Sequence, residues 1–249
     1  MLFKDVNCSY GQPSKINLYI SRIEDILAVM SRNGINECAL ANNLSVKEDV
    51  LECNRNLLDL CKSHPEAIPA LTLLPPVSTD EFYTKNQLLD IISENKRLFF
   101  KMYPKQHGFI FRDWQLSWVA DVLEETGVPL LLSFEEAEAR DIAEVKKLYK
   151  NMKIIITNTA QFMNRVYLQL CKYFGNVFLD TSNTIEYMGI ETFCEELGSE
   201  KILFGTNMPR KEPYDNIFSL LYADISQEEK ENIAFRNFDK LVETRGRRL

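Results

Sequence analysis

Gly127-Val-Pro-Leu-Leu-Leu-Ser133 and, after a gap of nineteen residues, Lys153-Ile-Ile-Ile-Thr-Asn158 decide the fold. Each carries a short continuous apolar run, and the residues between them read with helical period. An apolar run, a helix and a second apolar run make a strand–helix–strand unit, the building block of a parallel sheet covered by helices. Outward in both directions the unit recurs. Strands are expected at Leu2 to Ser9, Ile35 to Leu40, Ala67 to Leu73, Leu98 to Tyr103, Val128 to Ser133, Lys153 to Asn158, Asn176 to Asp180 and Lys201 to Gly205. Helix starts are marked by capping-box spacings at Ser45-x-x-Glu48, Ser78-x-x-Glu81 and Ser226-x-x-Glu229, and stops by Gly34, Gly127, Gly175 and Gly198. Eight such units predict a single-domain (β/α)8 TIM barrel over residues 1–249. A doubly wound open sheet is the alternative, and usually has fewer strands in this length. Lys230 to Leu249 reads as terminal helices closing the barrel, with Arg245-Gly-Arg-Arg-Leu249 as a solvated end.

Composition narrows the function classes. A net charge of −7 over 249 residues argues against a nucleic-acid binder, and 45% apolar with 11% aromatic residues against a disordered chain. No apolar run is long enough for a signal peptide or a membrane span, so the expectation is a cytoplasmic protein without a membrane or nucleic-acid partner, free to form homo-oligomers. The six cysteines form no Cys-x-x-Cys and are read as reduced and mostly buried.

Several common chemistries are missing. There is no glycine-rich phosphate loop and no Gly-x-Ser-x-Gly elbow, and only two histidines. His64 falls between a helix and the third strand, at the bottom of a barrel whose catalytic groups belong at the top. His107 follows the fourth strand and so belongs to the top face. Strand alternation puts Asn7 and Ser9 on one face and Cys8 on the other; if the pair points into the barrel, Cys8 packs against helices and is no nucleophile.

Further stretches, read together, carry a resemblance: Asp5-Val-Asn7-Cys-Ser9-Tyr-Gly11, Lys101-Met-Tyr-Pro104, Gly127 to Ser133, Ile154-Ile-Ile-Thr-Asn158, Phe204-Gly-Thr-Asn207-Met-Pro209 and Asn237-Phe-Asp-Lys-Leu241. In this order the chain resembles the amidohydrolase-related (amidohydrolase 2) family, metal-dependent hydrolases and decarboxylases built on a TIM barrel. The positions where that family holds its metal read here Asn7, Ser9, Ser133, Asn158 and Asn207. Neutral amides and hydroxyls lack the donor strength catalytic zinc requires, so the resemblance implies the fold without its metal and without another cofactor. Asn and Ser after a strand also suit helix N-caps, an ordinary reason for their presence at Ser133, Asn158 and Asn207.

Lys101, Lys105, Arg210 and Lys211 fall at or beyond strand ends facing the same side. In an acidic protein this local positive charge suits a carboxylate or phosphate in the metal's place. Lys101 is the candidate catalytic base, because a lysine inside a barrel has no inexpensive structural reason to be there; the competing reading is an internal ion pair with Glu135 or Asp180. The expected pocket comprises Asn7, Ser9, Lys101, Tyr103, His107, Ser133, Asn158, Asn207 and Arg210. The expected function is a pseudoenzyme-like relative that binds a small anionic molecule or a partner. The alternative is an active hydrolase or decarboxylase acting on a small carboxylic acid.

Overall fold

The computed structural model describes residues 1–13, 16–159 and 164–243. Eight strands, β1 (Phe3–Tyr10), β2 (Ile35–Asn42), β3 (Ala67–Thr72), β4 (Phe99–Met102), β5 (Leu130–Ser133), β6 (Ile154–Thr157), β7 (Val177–Asp180) and β8 (Ile202–Leu203), lie side by side in chain order. Every neighbouring pair is parallel. The barrel closes where Val6 N–H donates to Phe204 O at 2.9 Å and Ser9 N–H to Met208 O at 2.9 Å. The TIM barrel read from the alternation of elements is therefore the observed fold.

One helix follows each strand: α1 (Ile23–Arg32), α2 (Val50–Ser63), α3 (Lys85–Glu94), α4 (Trp118–Thr126), α5 (Ala139–Leu148), α6 (Asn164–Tyr173), α7 (Gly189–Leu197) and α8 (Tyr214–Tyr222). Two helical turns, Pro104–His107 and Asp113–Leu116, precede α4. After α8 come α9 (Gln227–Glu231), a π-turn over Asn232–Arg236 and α10 (Asn237–Glu243). Of the three capping boxes, the one at Ser226 forms as read. Ser45 caps nothing: its hydroxyl is drawn under the barrel mouth, donating to Asn42 O at 2.7 Å and meeting Thr72 Oγ1 at 2.6 Å, while Asp49 caps α2. At Ser78 the Glu81 carboxylate does reach back to the backbone, but Asp80 at φ +72 breaks the run and α3 starts from a capping box on Thr84.

Two apolar layers result from strand alternation. Val6, Ala39, Ala41, Ile68, Ala70, Phe99, Leu131, Ile155 and Leu203 fill the barrel, and Phe238, Leu241 and Val242 of α10 stopper its lower end, with the Phe99 and Phe238 rings 5.3 Å apart. Lys4, at the start of β1, fixes that stopper through a 2.6 Å bond to Asp239. The terminal segment closes the barrel as expected, while residues 244–249, with the arginine-rich end, lie outside the described residues. The opposite strand faces pack on the helices, and Cys8 belongs to this outer layer, buried and turned from the lumen.

Candidate functional site

Phe99, Leu131, Ile155 and Phe178 share the inner apolar layer, so the residues two further along their strands point the same way. Those are Lys101, Ser133, Thr157 and Asp180, a polar layer laid over the apolar one at the strand ends. On β1 the pairing passes from Asp5↔Cys38 to Cys8↔Leu40, so Val6 and Asn7 together oppose Ala39 alone. This bulge lets Val6 fill the lumen while Asn7 also reaches inward, and Ser9 regains the inner face.

Asp180 is the fully buried centre of the floor. It accepts hydrogen bonds from Ser182 Oγ (2.8 Å), Asn158 N–H (3.0 Å) and Asn7 Nδ2 (3.1 Å). Burial pushes its carboxyl up to about 6, with those bonds pulling the other way. Asn7 Nδ2 also donates to Asn158 Oδ1 at 3.0 Å and faces Ser182 Oγ at 3.2 Å. With its NH2 turned to acceptors, its carbonyl oxygen is left facing Lys101 Nζ at 3.5 Å. Behind β1, buried Asp5 accepts from Asn7 N–H (2.9 Å), Thr206 N–H (3.1 Å) and the Thr206 hydroxyl, which ties β1 to the segment after β8. Gly205 is required here: a Cβ at this position would stand 2.6 Å from Asp180 Oδ2.

Lys101 is 8% exposed, and among the described residues no carboxylate lies within 4.0 Å of its ammonium. The internal ion pair with Glu135 or Asp180 is thus not formed, because Asn7 stands between Lys101 and Asp180. Burial, reinforced by Arg210, lowers the lysine to about 8, against a smaller pull from Asp180. The ammonium lies 5.6 Å from the Tyr103 ring centroid. The Tyr103 hydroxyl is buried and finds no partner among the described residues, and burial pushes the phenol upward, so it stays a donor.

Above this floor opens a cavity of about 370 Å³, within the range of small-ligand pockets. Ser9, Lys101, Tyr103, Ser133, Asn158, Asn207 and Arg210 of the expected set line it, and Asn7 lies beneath as floor. His107 does not line it: Nε2 bonds Ser45 O at 3.0 Å and the ring packs edge-on to Tyr103, so it buttresses the wall from behind. Lys105 and Lys211 are also diverted, the first toward Glu138 at 3.8 Å, the second onto Ser182 O and the Asn183 side chain.

Sequence reading missed Asn43, Gln106, Glu136 and Asn183, which share the cavity wall, and weighed Glu135 and Asp180 only as ion-pair partners of Lys101, not as a wall residue and the central anion of the floor. Asp180 was in phase with the inward face of β7, and that phase was the available signal. The capping explanation fails for Ser133 and Asn207, since Glu138 and Pro213 occupy the N-cap positions of α5 and α8. Asn158 and Asn207 have a backbone reason: φ values of +62 and +59 place both in the left-handed region, where Asn, Asp and His are enriched among side-chain-bearing residues.

No family model and no curated protein sequence matches the chain. Among solved structures it is similar to 2,6-dihydroxybenzoate decarboxylase complexed with 2,6-dihydroxybenzoate, at TM-score 0.78 and 14% identity over 97% of this chain and 99% of that one. A dihydroxybenzoic acid decarboxylase from Polaromonas with bound manganese and 2-nitroresorcinol gives TM-score 0.77 and 13% identity over 97% and 96%. An amidohydrolase II gives 0.76 and 16% over 96% and 99%. The likeness establishes the architecture. It also raises the question of a divalent metal, and the donor set answers against one. Among the described residues no three His, Cys, Asp or Glu side chains come together; the strand ends present amides, hydroxyls and an ammonium, and of the two wall carboxylates, Glu135 and Glu136, the second already accepts from Lys105 N–H and the Gln106 side chain. The carboxylate at this level, Asp180, already accepts bonds from three side and main chains. These residues do not fit a manganese or zinc ion.

Proposed function

We propose that this chain is a metal-independent decarboxylase of small carboxylic acids in an amidohydrolase-type barrel. The observation that carries the reading is Lys101, a buried ammonium without a carboxylate partner among the described residues, opening on a 370 Å³ polar cavity with Arg210 at its rim. An uncompensated buried cation is costly, and an incoming carboxylate supplies the missing charge. Lysine at about 8 is mostly protonated at neutral pH yet close enough to neutrality to exchange its proton readily. The carboxylate sits between Arg210 and Lys101; the C–C bond to the carboxyl carbon breaks, CO2 leaves, and the electron pair remaining on carbon takes the Lys101 proton. Solvent through the mouth returns it. Asn7, held by Asp180, keeps the ammonium in place, and Tyr103 donates to a second substrate oxygen. The named activities of the structurally similar decarboxylases support this choice of substrate class.

A second reading, a binding protein that has lost turnover, is favoured by the same donor set, in which no three His, Cys, Asp or Glu side chains come together among the described residues. Incubating the protein with a panel of small hydroxylated benzoic and aliphatic acids, chelator present, distinguishes the two. CO2 release that disappears in Lys101→Ala supports the enzyme. Thermal stabilisation by the same acids without release supports the binder. Neither response overturns both.

A further inference from the structure

We infer that Lys101 is a carbonyl-capturing nucleophile, which condenses with the ketone of a small β-oxo acid and decarboxylates it through a Schiff base. This substrate class rests on the reading of the cavity as a decarboxylase site. Two lysines are buried among the described residues, and their surroundings differ. Lys146, 1% exposed, donates to Tyr149 O at 3.0 Å, to Lys150 O at 3.1 Å and to Met152 O, so its ammonium is engaged in closing the C-terminal end of α5. Lys101 has no such task. Its Nζ meets Asn7 Oδ1 in a long contact of 3.5 Å and opens on the polar cavity at the end of β4. Burial and the neighbouring Arg210 hold the lysine at about 8, so about a tenth of it is free amine at neutral pH, and the amine is the form that attacks a carbonyl.

Breaking the bond to a carboxyl carbon leaves an electron pair that needs an acceptor, and an iminium made from a lysine is one. Toward a β-oxo acid the Lys101 amine adds to the ketone carbon, the ketone oxygen leaves as water, and a protonated C=N bond remains. The position of the ketone selects the class. With the ketone β to the carboxylate, the pair released on the α carbon passes to the iminium nitrogen; with the ketone α, it would be stranded on the iminium carbon. CO2 departs, the resulting enamine takes a proton on carbon from solvent through the mouth, and water hydrolyses the iminium to restore the lysine. The balance is one oxo acid and one proton in, one ketone and one CO2 out. The remaining groups suit this route: Arg210 lines the same cavity and holds the carboxylate, while the buried Tyr103 hydroxyl, without a partner among the described residues, donates to the ketone oxygen as it leaves.

Acetoacetate and sodium cyanoborohydride, added to the full chain with chelator present and followed by peptide mass mapping, test the covalent step; CO2 release is measured in parallel without the reductant. A reduced adduct at Lys101 is expected, in excess of labelling at exposed Lys62 and at Lys146, together with CO2 release above the uncatalysed rate. Lys101→Arg keeps the charge but forms no imine, and should lose both signals while its circular-dichroism melt reports an intact fold; the wild-type mapping decides the matter whether or not the variant folds. No adduct at Lys101, or labelling there no greater than at Lys62, overturns the inference. If CO2 is still released from acetoacetate or from a hydroxybenzoic acid without that adduct, the inference falls and the decarboxylase reading stands. An adduct with no CO2 release from any acid removes both.

Discussion

Replacing Lys101 by Met should make this protein more stable while removing its ligand binding. The lysine is displaced from 10.5 to about 8 by burial, so holding it charged at neutral pH costs roughly 3 kcal/mol. Methionine fills a similar volume without charge, but it also gives up the attraction to Asp180 and repacks imperfectly, which reduces the expected gain to about 1–2 kcal/mol. The pH dependence is a second signature. Between about 8 and 10.5 the folded wild type has released the lysine proton while the unfolded chain still holds it, so wild-type stability rises with pH there. The advantage of the variant is therefore complete below 8 and shrinks above it. Urea unfolding of both proteins across this range, with thermal shifts against small carboxylates at neutral pH, measures each part. A loss of more than about 1 kcal/mol in the variant at neutral pH would refute the reasoning, because that is the behaviour of a charge already compensated by a buried partner.

Asp180 titrates in the opposite sense: its folded form keeps a proton up to about 6 against 3.8 ordinarily, so the wild type gains stability as pH falls through that window. Thermal midpoints of wild type and Asp180→Asn should therefore diverge in favour of the wild type between about 6 and 4, and parallel curves would contradict it. Gly205→Ala sets a methyl group 2.6 Å from Asp180 Oδ2; it should cost about 1–3 kcal/mol in denaturant unfolding and weaken carboxylate binding, since the floor must shift. Elemental analysis after equilibration with zinc and desalting should find none retained by the wild type. The combined variant Asn7→His, Ser9→His, Ser133→His, Asn158→His and Asn207→Asp should hold about one zinc per chain; a stoichiometric wild-type zinc, lost in Asn7→Ala, would show that the donor argument is wrong.

The barrel was legible because its signals are local and repeated: apolar runs such as Ile154–Thr157 and glycine stops at 34, 127 and 198 each point to the same unit. Helix starts were less so, because Ser45 and Ser78 have the right spacing but answer to Thr72 and to the turn at Asp80 instead. In the site, strand phase was enough to place Lys101, Ser133 and Ser9 in one cavity. What the spacing does not carry is the bulge that brings Val6 into the lumen beside Asn7, or the hydrogen bonds that seat Asn7 between Lys101 and Asp180 and so keep that pair apart. His107 was misplaced for a related reason: a loop position after β4 gives the correct end of the barrel but not the side of Tyr103 on which the ring lies.

The stopper of Phe238, Leu241 and Val242 has a kinetic consequence. A lumen filled by its own side chains and sealed at its lower end offers one route, so under the proposed decarboxylation substrate would arrive and products depart past the same Arg210 rim. In that proposed reaction the organic product would have to clear the mouth before another acid entered, and it should compete with substrate for the free protein alone. Carbon dioxide, small and uncharged, would leave first. Turnover would then be governed by the slower exit of the larger fragment, and loosening the rim rather than sharpening Lys101 would be the way to raise it.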